Sequence, residues 1–261
     1  MLIDISSDSH VHTSMCRHAL GSMEEYVQAA IDKNLKRITF LEHLEEGINH
    51  FSRTWLTEED FDVYFDEGAR LQEYYQGRID ISLGVEVGYN PDCPEKILER
   101  LAQHQWDLIG LSYHFCRIPG LDQHINLLSR QQKNIRIIEQ YGSRKLLCHY
   151  LDTLIEAVCK IPAQLLCHLD AGLRYQPELH FGAIHQSKAE QLLKAVKKMG
   201  MALEINTSGY DIRNEPYPCT DIILRARDMQ IPLRAGSDAH RPAEVGRHFE
   251  KLPSLLRTAA N

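Results

Sequence analysis

Several protein classes are excluded by what this 261-residue sequence does not contain. No apolar run approaches the roughly 20 residues that a membrane-spanning helix needs. No segment is densely basic and the formal net charge is −7, so the charge pattern of a nucleic-acid-binding surface is missing. The first residues include Asp4 and Asp8 and lack a basic start followed by a long apolar stretch, which argues against a signal peptide.

The cysteines also lack any pairing pattern. There are seven of them, an odd number, and no two form a C-x-x-C pair. This distribution is typical of reduced thiols and not of a disulfide framework. We therefore expect a cytoplasmic protein.

Histidine is abundant, with 14 residues, and the first cluster lies near the N-terminus. A short apolar segment leads into Asp8-x-His10-x-His12, and Cys16-x-His18 follows. In an extended chain alternate side chains share a face, so both imidazoles of the first motif can bind one cation. Taken alone, this motif could equally be a pair of surface histidines.

The rest of the chain alternates strand and helix patterns about seven times, with no linker or change in composition. The predicted strands end near residues 12, 43, 87, 114, 170, 206 and 240. Ser22 and Thr57 are typical helix N-caps. This alternation predicts one α/β domain over residues 1–261 with a parallel, barrel-like sheet.

Three connecting segments have predictions of their own. Residues 115–128 are expected to be a loop that covers a site. Residues 129–159 are expected to be helical with a break at Gly142, and a last helix is expected over residues 242–249.

Six of the seven predicted strands end in residues that are good metal ligands. In parallel α/β barrels the reactive groups lie at these carboxyl ends. One strand-end histidine means little, but uncompensated polar groups at six such positions would be costly unless cations bind them. The strand-end residues are His10 and His12, Glu42 and His43, Glu86, His114, His168, and Asp238 and His240, with Asn206 ending the remaining strand.

These motifs resemble those of the polymerase-and-histidinol-phosphatase (PHP) superfamily, and within it the monofunctional histidinol-phosphate phosphatases. The resemblance extends from residue 3 to about residue 250. The motifs that carry it are Asp8-x-His10-x-His12 with Cys16-x-His18, Leu41-Glu42-His43, Gly84-Val-Glu86, Ser112-Tyr-His114, His168-Leu-Asp170 with Arg174, Leu203-Glu-Ile-Asn206, and Gly236-Ser-Asp238-Ala-His240.

The resemblance implies a distorted (β/α)7 barrel, similar to a TIM barrel, with three divalent metal ions at the carboxyl ends of the strands. Zinc, manganese and iron all suit such mixed nitrogen and oxygen ligands. The implied first set is His10, His12, Glu86 and Asp238; Glu86, His114 and His168 form the second; His18, His43 and His240 form the third.

Such a centre would hydrolyse a phosphate monoester through a hydroxide that bridges two metal ions. Arginines would neutralise the phosphate oxygens, and Arg174 and Arg213 are the candidates because each closely follows a strand end. Arg117 and Arg241 are further options. The other candidates are Asn206 for substrate binding and Asp8, Glu42 and Asp170 as catalytic or ligand-orienting carboxylates.

The resemblance implies L-histidinol phosphate as substrate, in histidine biosynthesis. The segments 115–122 and 210–215 depart from the family pattern, so another small phosphate ester stays open. Two further hypotheses are a PHP-type phosphoesterase acting on nucleic-acid ends, which the acidic charge disfavours, and a non-catalytic metal-binding module. No membrane partner is expected, and the oligomeric state is left open.

Overall fold

The computed structural model describes residues 3–176 and 179–257, so the remaining residues of the predicted 1–261 domain lie outside the described part. The chain alternates strands and helices as predicted. The strands are β1 (Ser7–Val11), β2 (Arg37–Glu45), β3 (Asp80–Gly88), β4 (Ile109–Ser112), β5 (Phe115–Cys116), β6 (Ile125–Asn126), β7 (Leu165–Leu166), β8 (Ala202–Asn206) and β9 (Leu233–Gly236).

Seven of these strands form one parallel sheet in the order β1-β2-β3-β4-β7-β8-β9. The two edge strands meet where Val11 pairs in parallel with Ala239. There the His12 N–H donates to Ala239 O at 3.0 Å and the Asp238 N–H donates to His10 O at 2.9 Å. The sheet is therefore a nearly closed barrel, which confirms the predicted TIM-like α/β fold.

Helices connect the barrel strands and pack outside them. They are α1 (Met23–Asp32), α2 (Glu58–Tyr74), α3 (Pro94–Leu101), α4 (Gln132–Tyr141), α5 (Ser143–Lys160), α6 (Ala183–Lys198), α7 (Tyr210–Arg213), α8 (Thr220–Asp228) and α9 (Leu252–Arg257). Ser22 and Thr57 cap α1 and α2 through reciprocal contacts with Glu25 and Asp60, as the sequence predicts. Gly142 separates α4 from α5, as expected.

Helix α2 shows how the outer layer is attached to the barrel. Phe61, Tyr64 and Leu71 are buried on one face of this helix. The Tyr64 hydroxyl lies 2.9 Å from Gly84 O and 3.2 Å from Phe40 O, within hydrogen-bonding distance of both β2 and β3. These three side chains are therefore core, and the one polar side-chain atom among them is satisfied.

Two local predictions were wrong. Residues 115–128 are not only loop, because β5 and β6 pair there as an antiparallel hairpin. The last helix is not at residues 242–249, where 3-10 turns occupy Pro242–Glu244 and Phe249–Lys251, and α9 follows. Gly246 has a φ of +61°, a left-handed conformation that interrupts a continuous helix in the middle of this segment.

Among the described residues, none of the helices combines the length and apolar character required to cross a lipid bilayer.

Gly68 provides a test of the packing between α2 and β3. A Cβ at this position would lie 2.4 Å from Leu83 Cδ1 and 3.0 Å from its Cγ. We expect Gly68→Ala to lower the free energy of unfolding by up to about 2 kcal/mol, because an overpacking cost of about 1–3 kcal/mol exceeds the helix-propensity gain of about 1 kcal/mol. Urea unfolding measures this, with Asp66→Ala, at an exposed position of the same helix, as control. A stabilised Gly68→Ala would contradict this packing.

Candidate metal centre

The nine predicted metal ligands all lie at the carboxyl-end mouth of the barrel. Eight of them lie within a barrel strand or one to four residues beyond its end. His18 follows the 3-10 turn Ser14–Cys16. Seven are buried, His240 is half-buried and His18 is exposed, so the cluster runs from the barrel interior to solvent. The nine residues are His10, His12, His18, His43, Glu86, His114, His168, Asp238 and His240.

Glu86 on β3 is fully buried and lies among the other donors. Its Oε1 is 2.8 Å from His168 Nε2 and 3.3 Å from His114 Nε2. Its Oε2 is 2.7 Å from His43 Nδ1 and 3.6 Å from His10 Nε2. The two oxygens thus face different imidazoles, the arrangement needed for a carboxylate that bridges two cations.

A second group surrounds the end of β1. His10 Nε2 and His12 Nε2 are 2.9 Å apart, and Asp238 Oδ1 lies 3.4 Å from His12 Nε2. Asp238 follows β9 in the left-handed region, with a φ of +52°. This turn brings its carboxylate back toward the barrel mouth, beside the two imidazoles.

The outermost donors are His18 and His240, whose Nε2 atoms are 2.8 Å apart. His43 stacks against His18 with ring centroids 5.1 Å apart. His12 and His43 also group with His240, so the donor sets overlap at the centre. The division into three separate ligand sets therefore stays a prediction.

The donors are mostly in the protonation states that metal binding requires. Burial raises the pKa of Glu86 and of Asp238, but neighbouring imidazoles outweigh it and hold both pKa values well below their usual range. Although His18 reaches solvent, partial desolvation of its ring within the cluster and the nearby His43 lower its pKa to about 3. Burial also lowers the pKa of His12. The carboxylates are thus ionised and these imidazoles neutral, with lone pairs available. For His10 and His114, nearby carboxylates outweigh burial and raise the pKa, to about 10 for His114, so metal binding would displace a proton from each ring.

Several of these buried atoms have no hydrogen-bond partner within the described part of the chain. They include Glu86 Oε2, His12 Nδ1, His43 Nδ1 and His168 Nδ1. The 2.7 Å approach of His43 Nδ1 to Glu86 Oε2 lacks hydrogen-bond geometry. Unsatisfied buried polar atoms are costly, and a cation among them would remove part of that cost. The residues present therefore fit divalent metal ions.

A cavity of about 710 Å³ opens directly above these donors. Its volume lies within the usual range for small-molecule sites. Leu20 and Phe115 contribute apolar walls, and Arg174 lies on the rim. The arrangement is that of an open site, where protein ligands hold cations and leave room for a substrate.

The comparison with known families identifies this architecture. The PHP domain matches residues 8–208, and the segment described as PHP-associated matches residues 222–254. The chain belongs to the PHP domain family.

Relatives of this PHP protein are similar along almost their whole length. A Deinococcus radiodurans protein named "Probable histidinol-phosphatase" is 30% identical, over 96% of this chain and 92% of its own. The Bacillus subtilis protein named "Histidinol-phosphatase" is 25% identical, over 93% and 96%. The Lactococcus lactis histidinol phosphate phosphatase, solved with zinc, L-histidinol and phosphate, has a TM-score of 0.75 at 21% identity, over 97% and 93%.

Not all of the predicted substrate-binding residues of this PHP protein line the cavity. Arg174 lines the cavity, and its half-buried guanidinium lies 5.8 Å from the Tyr217 ring centre. Arg213 does not line it in the described structure, because it donates to Asp170 Oδ1 and Oδ2 at 3.0 Å and to Pro216 O. Tyr217 also packs against Arg213.

Two other candidates lie apart from the cavity lining. Arg117 is exposed beside Asp92, with its Nη1 3.4 Å from Asp92 Oδ2. Asn206 is fully buried, where its Oδ1 accepts from the Ser208 N–H at 3.1 Å. Its amide donates to Glu204, so Asn206 contacts the protein behind the site. Arg241, the remaining option, lines the cavity.

The three predicted catalytic carboxylates contact the protein framework. Asp8 accepts from the backbone N–H groups of Ser237 at 2.9 Å and Gly246 at 2.8 Å. It also accepts from the His10 N–H, and so orients the backbone of that residue. Asp8 therefore attaches the start of the barrel to the segment after β9.

Glu42 and Asp170 have similar framework contacts. Glu42 Oε1 accepts from the Thr13 N–H at 2.7 Å and from its hydroxyl at 2.6 Å. Burial of Glu42 raises its pKa to about 8. Asp170 accepts from Arg213 and from the Cys219 N–H at 2.9 Å. Catalytic roles for the three carboxylates stay predictions.

Sequence reasoning missed the carboxylates that contact the imidazoles from behind. Glu45 lies 2.7 Å from His114 Nδ1, and Glu204 lies 2.7 Å from His10 Nδ1. Glu204 lies within the strand predicted to end at residue 206, but Glu45 lies two residues beyond the strand predicted to end near residue 43. Position in a strand is a weak signal for these contacts, because they join residues 69 and 194 positions apart.

Asp8 provides the test of this framework. In Asp8→Asn one acceptor oxygen becomes an N–H₂ group that faces backbone donors, so we expect the free energy of unfolding of chelator-treated protein to fall by about 1–3 kcal/mol. Asp4→Asn, an exposed change four residues earlier, is the matched control. If Asp8→Asn kept its unfolding free energy but lost phosphatase activity, Asp8 would instead act directly in catalysis.

Proposed function

We propose that this protein is a metal-dependent phosphomonoesterase that hydrolyses L-histidinol phosphate to L-histidinol and phosphate. The observation that carries the proposal is the group of imidazole and carboxylate donors around Glu86, open to a cavity bordered by Arg174. Near-full-length similarity to proteins named histidinol-phosphatase supports the substrate.

The proposed centre holds three divalent ions, with zinc, manganese and iron as candidates. His10, His12, Glu86 and Asp238 would hold the first, and the second would share Glu86. The second is completed by His114 and His168, and the third is held by His18, His43 and His240. Of these metals, zinc is the first candidate, because the Lactococcus lactis structure was solved with zinc.

Metal ions bound there supply Lewis acidity toward phosphate oxygens and lower the pKa of a water molecule. The protein's own contribution is to bind and orient the ester. Arg174 reaches the cavity, and a guanidinium can grip two phosphate oxygens at once. Asp211 and Glu244 also line the cavity, and Arg247 lies 3.1 and 3.8 Å from their carboxylates, so this wall carries charges of both signs.

The remaining expectations form part of the same proposal. Residues 1–261 would be one catalytic domain, because the barrel draws its strands from the whole interval between Ser7 and Gly236. A cytoplasmic location is supported by all seven cysteines being free thiols. The small phosphorylated substrate would be the principal partner.

The direct test is phosphate release from L-histidinol phosphate, compared with a generic aryl phosphate and a 5′-phosphorylated oligonucleotide. We expect selective release from L-histidinol phosphate by protein whose elemental analysis shows two to three bound metal ions, and loss of release after chelation. Release only from other monoesters would keep the mechanism and reject the substrate. Metal binding without turnover of any ester would favour the non-catalytic hypothesis.

Arg174 provides a residue-level test. We expect Arg174→Ala to lower kcat/KM by about 10- to 100-fold and to weaken inhibition by inorganic phosphate, because a hydrogen bond to a charged group contributes about 1.5–3 kcal/mol. Arg225→Ala, which removes an exposed guanidinium paired with Glu190 on the outer layer, is the control. Equal kinetics for the two variants would remove Arg174 from phosphate binding.

A further inference from the structure

Two buried carboxylates contact the donor cluster from outside. Glu204 Oε1 lies 2.7 Å from His10 Nδ1, and Glu45 Oε1 lies 2.7 Å from His114 Nδ1. Their side chains are 0% and 2% exposed. Each contact occupies the ring nitrogen that faces away from Glu86. The other nitrogen, Nε2, therefore faces the site and is the one that can bind a cation.

Glycines on the adjacent strands make room for both carboxylates. A Cβ on Gly88 would lie 1.9 Å from Glu45 Oε1, and a Cβ on Gly236 would lie 2.1 Å from Glu204 Oε1. Gly88 pairs in register with Glu45 between β2 and β3. Any side chain at these two glycines would displace the carboxylate.

The two carboxylates differ in their second oxygen. Glu204 Oε2 accepts from the His168 backbone N–H at 2.7 Å and from Asn206 Nδ2 at 3.2 Å. His168 has a φ of +24°, a conformation that few residues with side chains adopt, and this hydrogen bond helps to hold it. By contrast, Glu45 Oε2 has no hydrogen-bond partner among the described residues.

We propose that Glu204 is a positioning residue that orients ligands of two different metal ions through one carboxylate. One of its oxygens fixes the imidazole of His10, in the first proposed ligand set. The other fixes the backbone of His168, in the second. Glu45 orients His114 alone. This inference rests on the proposed metal centre.

Glutamine at the two positions would have opposite consequences, because an amide has one acceptor oxygen and one donor nitrogen. In Glu204→Gln the amide nitrogen must face either the His168 N–H or His10 Nδ1. If the amide nitrogen faces the His168 N–H, its hydrogens point at another donor. If it faces His10 Nδ1, that nitrogen has to accept, which favours the His10 tautomer with its proton on Nε2. In Glu45→Gln the amide oxygen can stay on His114, with the nitrogen in place of the unpartnered oxygen.

The experiment measures bound metal ions per chain, by elemental analysis of full-length zinc-loaded protein dialysed against increasing chelator concentrations. We expect Glu204→Gln to lose at least one ion at chelator concentrations about 10- to 100-fold lower than wild type, because its amide can keep only one of the two contacts and this is the usual effect of removing such an orienting group. Glu45→Gln is the matched control, with the same substitution and the same imidazole contact, and we expect its release curve to lie close to wild type.

Two results would overturn the inference. One is the same release curve for Glu204→Gln and wild type. The other is equal weakening in Glu204→Gln and Glu45→Gln, which would reflect only the loss of a negative charge.

A second variant covers the case in which Glu204→Gln does not fold, judged by circular dichroism. Glu204→Asp keeps the charge and both acceptor oxygens but is one methylene shorter, so it cannot reach His10 and His168 together. We expect earlier release of at least one ion here as well, and release like wild type would overturn the inference. The readout needs no turnover, so failure to hydrolyse L-histidinol phosphate would reject the proposed substrate and leave this result intact.

Discussion

The structure depends on one buried negative charge, the carboxylate of Glu86 inside the barrel. It is fully buried, and imidazole nitrogens of His43, His168 and His114 lie 2.7, 2.8 and 3.3 Å from its oxygens. A buried charge is costly unless opposite charge or hydrogen bonds compensate it. The barrel mouth therefore has to collect donors from many strands around this residue, and metal ions would complete the compensation.

The parallel barrel meets this requirement because every strand points its carboxyl end toward the same mouth. Hydrogen bonds help to close the barrel, since the Asp8 carboxylate on β1 accepts from the backbone N–H groups of residues 237 and 246. Behind the donors, glycines at 88 and 236 leave space for Glu45 and Glu204. Behind the metal-ligand candidates, these two glutamates thus occupy interior positions of the barrel that apolar side chains would otherwise fill.

Much of the fold could be predicted because it follows from local patterns. The N-caps at Ser22 and Thr57 and the break at Gly142 need only a few neighbouring residues to be recognised. Local pattern failed at the chain end, where the helix expected over residues 242–249 is replaced by turns. It also failed for Arg213, because the side chain that neutralises it, Asp170, is 43 residues away.

The sequence by itself determined the alternation of strands and helices, the chemical type of each strand-end donor, and membership of a metal-binding family. These are properties of short segments and of their order. Only the tertiary structure decided which donors share Glu86, that Arg174 reaches the cavity while Arg117 does not, and that Glu45 and Glu204 contact imidazoles. Side-chain contacts between distant strands depend on register, barrel closure and burial, and spacing along the chain encodes none of these directly.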